Sequence, residues 1–191
     1  MDTAQREEID RLWQRKVSQD AQGLSIAERH RNLAPASAEF LYCLAAGLGC
    51  KKLLEIGGSS GISTIALASA AAANQGKLIS LEIEPARQAE AKATIGRLKL
   101  SASVEFHLGD AARVLPSLDE LDFALLDCEK EDYIRFFDML RMREGGIVAA
   151  DNVLSHNLRQ YVSYVRSFPN MESITLPIGQ GLEITRIVHC A

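Results

Sequence analysis

Five short apolar runs in this chain each lead into an acidic residue, a regularity too great for solvated loops, and those acids are where its chemistry should lie. Lys52–Ile56 carries Glu55 and stops at Gly57-Gly58-Ser59-Ser60-Gly61, and Lys77–Ile83 carries Glu82, with Glu84 beyond it. Ser103–Leu108 gives way to Gly109-Asp110, Asp122–Leu126 to Asp127, Glu129 and Lys130, and Gly146–Ala150 to Asp151 and Asn152. Three glycines and two serines let the backbone approach a ligand, and the helix that follows offers its first N–H groups to an anion. The spacing is G-G-x-x-G, not the G-x-G-x-x-G of dinucleotide folds; a tight turn without a ligand is the plain alternative. An acid that closes a second strand can accept hydrogen bonds from both hydroxyls of a ribose. Glu82 and the glycine turn together imply a nucleoside-bearing cofactor. Glu84, directly before Pro85, better suits the charge at a helix N-terminus.

Asp127, Asp151 and Asn152 form the second constellation. Two carboxylates brought within about 4 Å repel by several kcal/mol at an effective dielectric near 20, and a hard divalent cation offsets that. All-oxygen ligands, an Asn carbonyl among them, suit Mg²⁺, Ca²⁺ or Mn²⁺ rather than zinc. The competing reading is that Asp151-Asn152 simply turns the chain, as Asx residues do; Asp127 on a neighbouring strand end favours the metal. Lys130 lies three residues beyond Asp127, at a helix start where a cation opposes the macrodipole. It is either a surface lysine or a general base beside the metal. His156 follows the metal candidates closely enough to face an acceptor, whereas His107 lies within a strand and reads as structural.

These residues need a scaffold, and the pattern supplies one. Ile9, Leu12, Trp13 and Val17 recur at helical spacing, Ser25-Ile26-Ala27-Glu28 fits a capping box, and a further helix runs from Ser37 to about Leu48. Beyond residue 51, strands alternate with helices at 62–73, 85–100, 130–141 and 158–167. Alternation of this kind makes a parallel sheet covered on both faces. The runs Phe123–Leu126 and Ile147–Ala150 are apolar throughout, as doubly buried strands are. Glu172–Leu176 and Leu182–His189 have only Pro177–Gly181 between them and read as an antiparallel hairpin.

The chain has 191 residues, 47% hydrophobic and 24% charged, with a net charge of −4. That is one globular domain, with residues 1–50 as N-terminal helices covering the site and 51–191 as the cofactor-binding sheet. An acidic balance argues against nucleic acid as a partner. Cys43, Cys50, Cys128 and Cys190 show no C-x-x-C or zinc-finger spacing and read as reduced thiols. The charged N-terminus and the lack of a long apolar run predict a cytoplasmic protein with no membrane association.

At the residues just named, the chain resembles the cation-dependent O-methyltransferases, the family of catechol and caffeoyl-CoA O-methyltransferases. The matching stretches are LLEIGGSSGIST (53–64), KLISLEIEP (77–85), GDAARVLPSL (109–118), LDFALLDCEKEDY (121–133), GGIVAADNV (145–153) and GLEITR (181–186). The resemblance implies an α/β fold: a doubly wound, Rossmann-like class I methyltransferase sheet, mostly parallel with a C-terminal antiparallel hairpin and helices on both faces. It implies S-adenosylmethionine as cofactor, with Gly57, Ser59 and Ser63 at its methionine end, Glu82 at its ribose and the Asp110-Ala111 loop at its adenine. Leu33, with Asn32, would close over the cofactor, and Glu55, Ile83 and Asp127 complete the expected contacts. Asp127, Asp151 and Asn152 match the family's metal ligands, with Mg²⁺ foremost and Ca²⁺ or Mn²⁺ as alternatives. Lys130 matches its general base, and His156 and Glu183 are the acceptor candidates.

The reaction implied is methyl transfer to a small catechol-like or hydroxycinnamoyl-type acceptor. The N-terminal helices would serve as a lid or as a homodimer contact. Three rivals differ in class. An NAD(P)-dependent oxidoreductase would share the sheet and the ribose acid but not the glycine spacing or the hairpin. A nucleic-acid N-methyltransferase would carry an N-P-P-Y-like motif where this chain has Asp127-Cys128-Glu129-Lys130. A non-catalytic S-adenosylmethionine-binding protein would bind the cofactor without turnover.

Overall fold

A computed structural model describes residues 1–25 and 28–188. Residues 26 and 27 of the short helix expected from Ser25, together with His189 and Cys190, lie outside the described residues, and at Glu28 and Arg29 the chain is turn and bend instead of helix. What is described at its edge fits a cap: the N–H and hydroxyl of Ser25 both donate to Glu28 Oε2, at 3.1 and 2.6 Å.

Helix α1 (Thr3–Ala21) starts on a reciprocal cap, Gln5 N–H to Asp2 Oδ1 at 2.9 Å and Asp2 N–H to Gln5 Oε1 at 3.0 Å. Helix α2 (Pro35–Gly47) opens on a proline. There follow β1 (Lys52–Ile56), α3 (Ile62–Ala73), β2 (Lys77–Glu82), α4 (Pro85–Arg97), β3 (Val104–Leu108) and β4 (Leu121–Leu126). The chain closes with α5 (Tyr133–Met139), β5 (Met142–Ala150), α6 (Arg159–Val165), β6 (Met171–Leu176) and β7 (Leu182–Ile187).

The seven strands form one sheet in the order β3-β2-β1-β4-β5-β7-β6. The first five are mutually parallel, and β7 runs antiparallel to both β5 and β6. The doubly wound sheet and the terminal hairpin are as expected. Side-chain alternation divides the core. Leu53, Phe123, Leu125, Ile147 and Ala149 face α1–α3, while Leu54, Ala124, Leu126, Val148 and Ala150 face α5 and α6. Helix α3 is buried over the ten residues Ile62–Ala71. Alanine and serine let it fit between α2 and the sheet.

Several boundaries differ from expectation: α2 begins at Pro35 instead of Ser37, α4 ends at Arg97 instead of Leu100, and two more lie at α5 and β5. The helix expected over 130–141 is a 3₁₀ turn at Lys130–Asp132 followed by α5, which ends at Met139. Strand β5 begins four residues early, with its register against β4 shifted between Leu121 and Phe123. Arg141 is drawn out of the helix because its carbonyl accepts the Leu121 N–H at 2.8 Å. In that way a sheet bond overrides local helix preference.

Order reversal on either side of β1 and β4 creates the switch point where ligands bind in open α/β sheets. The glycine turn after β1 and the Asp127 loop after β4 meet there.

Candidate active site

The glycine turn is built against its neighbours. Gly57 has φ +96°, and a Cβ there would lie 2.2 Å from the Asp127 carbonyl oxygen. Only glycine lets the two strand ends touch. Gly57→Ala is therefore expected to cost at least about 2 kcal/mol of stability, checked by thermal unfolding. Glu82, buried at the end of β2, accepts the Ser59 N–H at 2.8 Å on Oε2, and the Ile83 and Glu84 N–H groups at 2.8 and 2.9 Å on Oε1. Three backbone donors fix the carboxylate while leaving lone pairs for a ligand. Asp110 caps its own loop through the Ala112 N–H at 2.9 Å.

A cavity of about 260 Å³ opens at this point. Gly57, Ser59, Glu82, Ile83, Asp110, Ala111 and Asp127, all expected at a cofactor, line it. Ile83 presents a largely exposed apolar side chain there.

Asp127, Asp151 and Asn152 converge. The Asn152 amide Nδ2 donates to Asp127 Oδ1 at 2.9 Å and to Asp151 Oδ2 at 3.0 Å. Asn152 takes φ +67°, a left-handed conformation that asparagine tolerates well. Burial pushes both carboxyls up, Asp151 to about 6 and Asp127 well above the usual carboxylate range, with the Asp151 charge adding to the rise at Asp127. Asp151 Oδ1 is buried and has no hydrogen-bond partner among the described residues. Among those residues no group of three or more His, Cys, Asp or Glu gathers as ligands; the set here is two carboxylates and one amide. An orphaned carboxylate oxygen, two repelling acids and an all-oxygen donor set fit a hard divalent cation.

Lys130 sits beside this pair. Its Nζ lies 3.5 Å from Asp127 Oδ1 and donates to the Tyr133 hydroxyl at 2.9 Å; that hydroxyl donates in turn to the Asp151 carbonyl at 3.2 Å. Tyr133 is fully buried and its ring packs edge-on against Tyr161, with centroids 5.4 Å apart. It therefore aims Lys130. Tyr133→Phe keeps the ring and loses the aim: kcat is expected to fall about tenfold with KM little changed, read by steady-state kinetics.

On the other side of Asp127 lies a second cavity of about 300 Å³, whose walls include Lys130, Asn152, His156 and Gln180. Asp127 and Arg31 border both cavities. Arg31 pairs with Glu129, and its N–H donates to Ser59 Oγ at 3.3 Å, while Asn32 and Ser60 exchange side-chain bonds at 2.8 and 3.0 Å. The segment after α1 is thus stitched to the glycine turn. The β6–β7 turn is held on the other side, with the Leu154 N–H bonded to the Gln180 carbonyl at 3.1 Å.

Four expected site residues are placed elsewhere. Glu55 is fully buried beneath the turn, where Oε1 accepts the hydroxyls of Thr64 at 2.5 Å and Ser80 at 2.7 Å. It supports the turn instead of lining the cavity. Ser63 is buried on the first turn of α3, close enough to bond Glu55, and Leu33 packs in the core with Ile9 and Leu12. Glu183 is fully buried on β7, where it accepts Arg166 at 2.8 and 3.1 Å and the Ser173 hydroxyl at 2.6 Å. It does not line the second cavity. Sequence reasoning missed Tyr133, although its spacing three residues after Lys130 placed it one turn away. It also missed Lys16 and Asp20, an i,i+4 pair at the end of α1.

The family model for O-methyltransferases matches residues 15–186. A catechol O-methyltransferase of Niastella koreensis is 36% identical over 64% of this chain and 58% of its own length, so the chain spans less than two thirds of that relative. A caffeoyl-CoA O-methyltransferase of Petunia hybrida is 28% identical over 81% of the chain and 77% of its own. Among solved structures, the Bacillus cereus O-methyltransferase in complex with SAH superposes with a TM-score of 0.79 at 22% identity, covering 98% of this chain and 91% of that one. The Streptomyces achromogenes O-methyltransferase TomG in complex with SAM gives 0.80 at 21%, covering 99% and 91%. Those structures share the sheet and its terminal hairpin, and the family match runs through both strand-end constellations: this chain belongs to the O-methyltransferase family.

Proposed function

We propose that this chain transfers a methyl group from S-adenosylmethionine to one hydroxyl of a small vicinal diol, with a divalent cation held by Asp127, Asp151 and Asn152. The observation that carries the reading is the orphaned Asp151 Oδ1 in a bridged carboxylate pair whose other member, Asp127, borders both cavities and lies beside Lys130. Membership of the O-methyltransferase family supports the donor and the reaction class.

When bound, S-adenosylmethionine supplies a methyl on a cationic sulfur that leaves as a neutral thioether, and a divalent cation supplies the charge that makes a neighbouring hydroxyl acidic. The chain does the rest. Glu82, immobilised by three N–H groups, receives the ribose hydroxyls, and Ile83 with Ala111 forms an apolar wall for the adenine. Asp127 borders both cavities and sets donor and acceptor side by side. Lys130 Nζ, aimed by Tyr133, takes the acceptor's hydroxyl proton. Such positioning in a water-poor cleft contributes much of the rate when charge is neutralised in the transition state.

A screen of hydroxylated acceptors with S-adenosylmethionine and Mg²⁺, read by mass spectrometry, tests the reading. The expected result is a product heavier by one methylene unit, with S-adenosylhomocysteine formed in equal amount. Binding of S-adenosylhomocysteine with no product from any diol would overturn it in favour of a non-catalytic binding protein.

A further inference from the structure

The second cavity says more about its occupant than that it carries a diol. Its eleven lining residues are all polar or charged; His30 and His156 bring the only rings among them, and no aliphatic side chain is there. Four cations, Lys16, Arg29, Arg31 and Lys130, stand there against two carboxylates, Asp20 and Asp127. Two of the cations are already committed: Arg31 to Glu129, and Lys130 to the metal side of the cavity. The other two share one anion. Lys16 Nζ bonds Asp20 Oδ2 at 2.6 Å and Arg29 Nη1 bonds Asp20 Oδ1 at 3.1 Å. One positive charge is left over at the wall contributed by the end of α1. A neutral ring seated there would strip water from that charge and return at most a weak cation–π contact, one of which Lys16 already makes with Trp13, 5.0 Å from the ring centroid. A carboxylate would be met by the same two groups that already hold the Asp20 carboxylate, through charge-assisted bonds.

Resting on the methyl-transfer reading above, we propose that the acceptor is a single-ring vicinal diol bearing a carboxylate, bound with its diol toward Asp127 and Asn152 and its carboxylate on Lys16 and Arg29. Lys16 and Arg29 are thereby specificity-determining residues.

The test is a charge series on one ring: 3,4-dihydroxybenzoate, its methyl ester, and dopamine, each with S-adenosylmethionine and Mg²⁺. The acid is expected to exceed the ester in kcat/KM by about tenfold or more, with the amine lowest. Lys16→Gln combined with Arg29→Gln should bring acid and ester to parity. Asp20→Asn, which frees both cations, should widen the gap. Binding of S-adenosylhomocysteine by each variant, seen as a rise in Tm, shows that it is folded. Equal turnover of acid and ester by the wild-type protein would overturn the proposal and leave the methyl-transfer reading standing. So would an acid preference that neither variant moves. If none of the three diols is methylated while S-adenosylhomocysteine still binds, this proposal is overturned, and the wider acceptor screen decides the methyl-transfer reading separately.

Discussion

Lys130→Ala is expected to lower kcat by about 10²–10⁴-fold while leaving the affinity for S-adenosylhomocysteine within about twofold. The argument is spatial. Lys130 Nζ lies 3.5 Å from Asp127 Oδ1 and borders the acceptor cavity, but it is not among the groups lining the donor cavity. Removing it takes a proton acceptor from the reacting side and no contact from the donor side. Stability should fall modestly: the Tyr133 hydroxyl keeps its bond to the Asp151 carbonyl, but the buried Asp127 carboxyl loses its neighbouring cation. Single-turnover kinetics with a saturating diol, alongside calorimetric titration of S-adenosylhomocysteine, separates the two quantities. Turnover within twofold of wild type would remove Lys130 from proton transfer.

Asp151→Asn is the second large effect, and its two readouts move in opposite directions. Turnover is expected to fall about a hundredfold or more, equivalent to about 2.7 kcal/mol of transition-state stabilisation. Stability without added metal should not fall. The substitution replaces a buried carboxyl, whose pKa burial has raised to about 6, with a neutral amide of the same shape, and it relieves the repulsion that raises Asp127. Added Mg²⁺ or Mn²⁺ should therefore raise the Tm of the wild-type protein and not that of the variant, because a ligand of the folded state stabilises only where its site survives. Thermal unfolding with and without the ion reads this directly.

Much of this arrangement was legible from residue order alone. Strand ends, glycine turn and acids follow from apolar runs and punctuation, and the topology then brings Asp127 and Asp151 onto adjacent strands β4 and β5. What sequence could not supply was side-chain direction beyond the strand ends. Glu55 and Glu183 look like site acids by position. Yet strand alternation turns Glu55 under α3, where two hydroxyls bond Oε1 and Oε2 has no partner among the described residues, and turns Glu183 toward Arg166, where a guanidinium and hydroxyls satisfy it. Period two decides such cases only when the buried face is known. The acceptor wall was hidden for a different reason. Nothing in their spacing singled out Lys16, Asp20 and Arg29, and only the fold of the segment after α1 turns them into a cavity lining. The same fold keeps Ile9 and Leu12 in the core and so anchors that wall.

The account stands or falls on a cation at the end of β4 and β5. Turnover of a vicinal diol with S-adenosylmethionine, measured after exhaustive chelation and again after Mg²⁺ is restored, tests it most directly. The expected result is loss of nearly all product on chelation and full recovery on adding the ion back. Undiminished methylation by the metal-stripped protein would contradict it.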